Sequence, residues 1–289
     1  MNDQWSKITL IFPSDSTDVL YGFFSDFPSM GIEEEDEADG TTKWKVYLPT
    51  ASMGSDFKSN LLDLFQLNPE KLTISAIEEV QEENWQDNWR QYFHILNVGD
   101  RFRIVPSWEK TTAPPAPDRI DLYIEPGMAF GTGTHATTQL CMRLAETYLS
   151  PGARVLDLGT GSAILLMAAM KLGATDAVGT DIDKDVLENA EENLQLNDVD
   201  TKLTKIFIGP LAELPESQFD FIFCNMLSHE FLPLLGEIRS RCAANATVLI
   251  SGLLASESEE VKSALSLARL EVRNQLQQDE WLAFVTTPC

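Results

Sequence analysis

From Glu125 onward, short apolar runs alternate with stretches of helical periodicity, and no other feature of this 289-residue chain restricts its fold as much. Val155–Leu158, Ala177–Asp181, Lys205–Ile208, Phe219–Cys224 and Thr247–Ser251 read as strands, with helices expected near 137–149, 162–172, 184–195, 228–241 and 256–268. Repeated strand–helix units argue for a parallel, doubly wound α/β sheet with helices on both faces. The end differs. Glu271–Gln278 and Trp281–Thr286 are separated only by Asp279 and Glu280, a link too short for anything but antiparallel strands, so the sheet is expected to finish on an antiparallel edge.

Upstream, the order changes. Trp5–Phe12, Lys43–Leu48 and Lys71–Ile77 read as strands, interleaved with an amphipathic helix carrying Val19, Leu20, Phe23, Phe24 and Phe27 and a second helix over 55–66. Residues 1–77 are therefore expected to form a small α+β domain of the split βαβ type. The acidic run Glu33–Asp39 is expected to be a solvated loop. Residues 78–94 read as a helical linker, in which Trp85, Trp89 and Phe93 are four apart and share a face. The doubly wound domain takes 95–289, including short strand candidates Arg101–Val105 and Ile120–Ile124 around a Pro-rich loop.

Charge excludes one class of function. With 45 acidic against 21 basic residues the net charge is −24, shared almost evenly by 1–120 and 121–289. Such a surface has no basic patch with which to hold nucleic acid phosphates, and it suits cationic partners instead. The longest apolar run, Ala163–Met170, is far short of the ~20 residues of a membrane helix. Four scattered cysteines, Cys141, Cys224, Cys242 and Cys289, form no CxxC pair and have no nearby histidines, so neither a disulfide framework nor a metal site is expected. A reducing cytoplasm fits these features.

The chemistry concentrates at strand tips. Val155–Leu158 runs into Gly159-Thr160-Gly161-Ser162-Ala163 and then a helix, a turn whose glycines let a ligand approach and whose helix N-terminus offers N–H groups. Ile164 stands where a dinucleotide fingerprint has its third glycine, so a nucleoside without phosphates fits better than a pyrophosphate. Twenty residues past Gly161, Asp181 ends the next strand, where a carboxylate can accept both ribose hydroxyls; Asp183 reads as a helix cap. Asn225 ends the fourth strand, and its amide oxygen can accept from an amine. A second glycine-rich loop, 125–138, contains His135, a candidate proton acceptor, and Thr137 and Thr138, candidate caps.

Asn88-Trp89-Arg90, Val105-Pro106-Ser107-Trp108, the loop Ala129-Phe130-Gly131-Thr132-Gly133-Thr134-His135, the turn after Val155, Asn225-Met226-Leu227 and Ser251-Gly252-Leu253-Leu254 together resemble the bacterial methyltransferase family that modifies ribosomal protein L11 of the large subunit. The resemblance spans nearly the whole chain. It implies a ferredoxin-like N-terminal domain that recognises the ribosomal protein, a helical linker, and a class I methyltransferase domain that binds S-adenosylmethionine without a metal. Carried over by motif, the cofactor contacts are Thr138, Gly159, Asp181 and Asn225, with Asn225 also positioning the amine. A monomer acting on free, basic substrate protein is expected. The family usually shows glycine where Ala163 stands, a methyl group accommodated just inside the helix. Two other readings compete: methylation of a different protein lysine, as in the enzyme that modifies electron-transfer flavoprotein, and a non-catalytic S-adenosylmethionine-binding module. Ala163 alone favours the last, while Asp181 and Asn225 oppose it.

Overall fold

The computed structural model describes residues 5–16, 20, 23–24, 31–36, 40–52, 57–63, 72–75, 77–80, 93–125, 131–215 and 217–289. The chain divides into two units, Met1–Phe93 and His94–Cys289.

In the first unit β1 (Trp5–Pro13), β2 (Gly31–Asp36), β3 (Thr41–Pro49), β4 (Thr73–Ile74) and β5 (Glu78–Val80) form one antiparallel sheet in the order β2-β3-β1-β4, with β5 also pairing β1. Every second residue of the two central strands is buried, so Ile8, Leu10 and Phe12 join Trp44, Val46 and Leu48 in a core with Leu20, Phe24, Phe57 and Leu61, the last two on helix α1 (Phe57–Asp63). Two expectations are corrected. Part of the acidic run is edge strand β2: Glu33 and Glu35 stand opposite Lys45 and Lys43, and Glu34 accepts from the Trp44 indole at 2.9 Å. Opposite charges across the ladder offset the poor strand propensity of glutamate. Glu78–Val80, expected to open the helical linker, is a strand because its backbone pairs with Trp5–Lys7. Val19, Phe27, Trp85 and Trp89 lie outside the described residues.

The second unit opens with a three-stranded sheet, β6 (Leu96–Val98), β7 (Phe102–Pro106) and β8 (Ile120–Ile124). Arg103, nearly buried, grips both oxygens of Asp121 at 2.6 Å and the carbonyl of Pro114, which fixes the Pro-rich loop. Burial disfavours its charge, but the bond to Asp121 dominates and raises the guanidinium pKa.

Helix α2 (Ala136–Tyr148) then leads into the main sheet of β9 (Arg154–Leu158), β10 (Asp176–Asp181), β11 (Thr204–Ile208), β12 (Phe219–Asn225), β13 (Cys242–Leu254), β14 (Leu270–Gln278) and β15 (Trp281–Pro288). The order is β11-β10-β9-β12-β13-β15-β14, parallel through β13 and antiparallel beyond it. Helices α2, α3 (Ile164–Lys171) and α4 (Val186–Leu196) pack in one core, and α5 (Ser228–Phe231), α6 (Leu235–Ser240) and α7 (Ser258–Leu267) in another. The helix expected over 228–241 is split by a 3-10 turn at Leu232–Leu234, where Pro233 has no N–H to continue an α-helical ladder. Strand order reverses between β9 and β12, so the crevice outside their C-terminal tips is the natural ligand site.

Candidate functional site

Tight backbone junctions build the crevice. Gly159 (φ 72°), Gly161 (φ 49°) and Ala163 (φ 65°) all take left-handed conformations between β9 and α3. Ala163 is thus not inside the helix, as expected from sequence, but at the residue before it, where a side chain pays the left-handed steric cost that glycine avoids. Three N–H groups at the start of the turn are already bonded. Gly159 and Thr160 donate to the Thr180 carbonyl at 2.8 and 3.0 Å, and Gly161 donates to Asp181 Oδ2 at 3.0 Å. The tip of β10 takes these three, so they are not open to a phosphate.

Asp181 is half-buried beside that turn. Its Oδ1 accepts from the Asp183 N–H at 3.0 Å, so each carboxylate oxygen holds one backbone donor and keeps capacity for another. Asp183 in turn accepts from the Asp185 N–H, a local turn at the start of α4. Between them Ile182 is 80% exposed, an apolar side chain adjoining a carboxylate at the crevice. Sequence reasoning passed over it; its signal was an isoleucine set between two aspartates just past a strand tip.

Asn225 ends β12, and its Nδ2 approaches the buried Thr138 hydroxyl at 3.5 Å, which brings together two residues 87 apart in the chain. Asn225 Oδ1 is buried with no hydrogen-bond partner among the described residues, leaving an acceptor to be filled. The neighbouring tips are pressed close: a Cβ on Gly252 (φ 89°) would lie 2.1 Å from the Met226 carbonyl oxygen. His135 caps α2, accepting from the Thr137 N–H through Nδ1, and packs edge-on against Trp281 at 4.9 Å. The cap expected of Thr137 or Thr138 is therefore His135.

Asp157, on β9, was read as an ordinary strand residue. It is 1% exposed, with Oδ2 accepting from the Thr160 hydroxyl at 2.8 Å and Oδ1 without a partner among the described residues. Burial, opposed by the Thr160 bond and reinforced by the charge of Asp181, pushes its carboxyl up to about 7. A polar ladder, buried at Asn193 and Asn197, flanks the site as well. Asn189 and Asn193 on α4 and Asn197 just after it are four apart, and their amides bind the outer edge of β8 and the residue that follows it: Asn197 takes the Tyr123 N–H and reaches its carbonyl, Asn193 takes the Glu125 N–H at 2.7 Å, and Asn189 reaches the Glu125 carbonyl. Four helical residues rise ~6 Å and two strand residues ~6.6 Å, so the two periods nearly coincide. Among the described residues no group of three His, Cys, Asp or Glu side chains could hold a metal ion, and no helix is long and apolar enough to cross a membrane.

Residues 4–288 match the family model for ribosomal protein L11 methyltransferase. Enzymes of that name from Pelobacter propionicus and Listeria monocytogenes serotype 1/2a (strain 10403S) are each 36% identical to this chain, the first over 99% of it and 98% of its own length, the second over 98% of both. A crystal structure of ribosomal protein L11 methylase from Lactobacillus delbrueckii subsp. bulgaricus superposes with a TM-score of 0.62 at 30% identity, covering 68% of this chain and 99% of that one.

Proposed function

The chain belongs to the ribosomal protein L11 methyltransferase family, and on that premise we propose that it transfers methyl groups from S-adenosylmethionine to amino groups of ribosomal protein L11, lysine side chains and the N-terminal amine included. The observation that carries the reading is the crevice itself. A turn with three N–H groups already bonded, a carboxylate with spare acceptor capacity, an exposed isoleucine and an amide oxygen without a partner among the described residues suit a nucleoside that bears no phosphate. Asp181 accepts the ribose hydroxyls, Ile182 offers an apolar face to the adenine, Gly159 lets the ligand approach the backbone, and Thr138 with Asn225 lines the reacting end.

The co-substrate supplies an activated methyl on a sulfonium. The chain's own task is alignment. A lysine starts near pKa 10.4 and must lose its proton to bulk water on entering the crevice, where desolvation favours the neutral amine, and S-adenosylhomocysteine leaves once the methyl is transferred. Asn225 Oδ1, buried and without a partner among the described residues, accepts an N–H of that amine and turns its lone pair toward the methyl carbon. No dedicated base and no metal are required.

The N-terminal unit recognises the protein substrate. With a net charge of −24, the enzyme attracts a basic ribosomal protein and is repelled by ribosomal RNA, so it works as a cytoplasmic monomer on free L11 rather than on assembled subunits. Mass spectrometry of purified L11 after incubation with the enzyme and S-adenosylmethionine tests the activity; the expected result is a mass rise in whole methyl steps, lost in Asn225→Ala. Unmodified L11 would refute the reading, and faster methylation of assembled subunits than of free protein at low salt would refute the preference.

A further inference from the structure

We propose that Asn193 and Ser162 form a buried clamp that sets the width of the cofactor crevice, acting as positioning residues that do not themselves touch the nucleoside. The proposal rests on the reading above, in which Gly159 and Thr138 both line the cofactor. Three hydrogen bonds connect the segments that carry them in series. The Glu125 N–H, just past β8, donates to Asn193 Oδ1 at 2.7 Å; Asn193 Nδ2 donates to the Ser162 carbonyl at 3.1 Å; the Ser162 hydroxyl donates to the Gly131 carbonyl at 2.5 Å. Glu125 and Gly131 are thereby both tied to one residue of the turn between β9 and α3, although 31 positions separate Ser162 from Gly131 and another 31 separate it from Asn193.

The circuit has no slack. Asn193 is 0% and Ser162 1% exposed, so neither loses a partner to water without leaving a buried polar group unpaired. Gly131 (φ 103°) is held so close that an added Cβ would sit 2.9 Å from Ser162 Oγ. Ser162 and Ala163 share a peptide plane, and the left-handed φ of Ala163 is part of what aims the Ser162 carbonyl at Asn193. The Asn193 amide therefore ties Glu125 to the turn that carries Gly159, and the Ser162 hydroxyl ties that same turn to Gly131, where the segment to Thr138 begins.

Asn197 supplies the control. It binds the Tyr123 backbone from just after the same helix and is equally buried, but it makes no bond to the Ser162 turn. Titration calorimetry with S-adenosylhomocysteine on Asn193→Leu, Ser162→Ala, Asn197→Leu and Asp181→Ala, combined with methyl-transfer kinetics, decides the matter. The clamp predicts about tenfold weaker binding and a matching rise in KM for S-adenosylmethionine in the Asn193 and Ser162 variants, with kcat within about twofold. It also predicts a double variant that loses less than the sum of the two, since both break one circuit. Asn197→Leu should lower the melting temperature while leaving nucleoside affinity within about threefold. Unchanged affinity in Ser162→Ala and Asn193→Leu alongside lost affinity in Asp181→Ala overturns the clamp and leaves the cofactor site standing. Equal weakening by Asn197→Leu and Asn193→Leu overturns it too, since helix packing alone then explains both. Undiminished binding in Asp181→Ala refutes the cofactor reading instead. Should Asn193→Leu fail to fold, Ser162→Ala decides by itself, because it removes one hydroxyl and nothing else.

Discussion

Neighbouring strands β9 and β10 each carry an aspartate near the same end of the sheet, and the two carboxyls live in opposite circumstances. Asp181 sits half-exposed on the rim with a backbone donor on each oxygen. Asp157 is sealed beneath it, with one hydroxyl on one oxygen and nothing on the other among the described residues. The same side chain keeps acceptor capacity open to solvent in one place and is held near its neutral form by burial in the other. Solvent access and donor count, rather than residue type, separate the roles.

The largest way to break that contrast is to remove the buried proton. Asp157 titrates near 3.8 in the unfolded chain and at about 7 in the folded one. Between those values the folded state keeps a proton that the unfolded state has lost, so this group's contribution makes stability fall as pH rises through the window and level off above it. The ceiling is on the order of 4 kcal/mol. Asp157→Asn should flatten the slope of denaturant stability between pH 4 and 7 and be roughly 2 kcal/mol more stable than the parent at pH 8, less than the ceiling because a buried amide gains no new partner. A slope identical to the parent's would place Asp157 with Asp181 after all.

Next comes the rim. Asp181→Ala should weaken S-adenosylhomocysteine binding about 100-fold in calorimetry, roughly 2.7 kcal/mol, and should leave the pH slope assigned to Asp157 in place. Thr160→Val sharpens the comparison from the other side: it takes away the one hydroxyl bonded to Asp157, raises that carboxyl further, and costs about 1 kcal/mol at pH 8 by urea unfolding. Smallest of all is Ala163→Gly. Relief of a left-handed alanine, worth ~1–2 kcal/mol, is offset by a lost buried methyl of ~0.8 and a freer unfolded chain of ~0.4–1, so thermal unfolding should shift by less than about 1 kcal/mol either way.

Legibility followed the same divide between what neighbours in sequence and what neighbours in space. Strands β9 to β13 read plainly because parallel strands covered by helices appear as largely apolar runs. Asp181 and Asn225 were visible as polar residues ending such runs, and the turn of β9 brings Gly161 against Asp181 as its spacing implied. Strand β2 was hidden because Glu35 finds its counter-charge in Lys43 on β3, eight residues away, and edge strands tolerate what propensity rejects. Asp157 was hidden inside an apolar run that made it look incidental. The asparagines on and just after α4 were hidden because each bonds a backbone more than sixty residues distant, and a carbonyl leaves no mark in the sequence.

The arrangement of the last two strands has a kinetic consequence. β14 is made before β15, yet it pairs only with β15, which alone reaches β13. β14 therefore has no seat in the sheet until its successor exists, and it meets β15 through a tight link at Asp279 (φ 52°) that closes on the microsecond scale of hairpins. Until β15 docks, the β13 edge is an open template holding Val248, Leu249 and Ile250, the sort of surface on which nascent chains aggregate. Trimming the chain back to β14 would thus cost the sheet two strands rather than one.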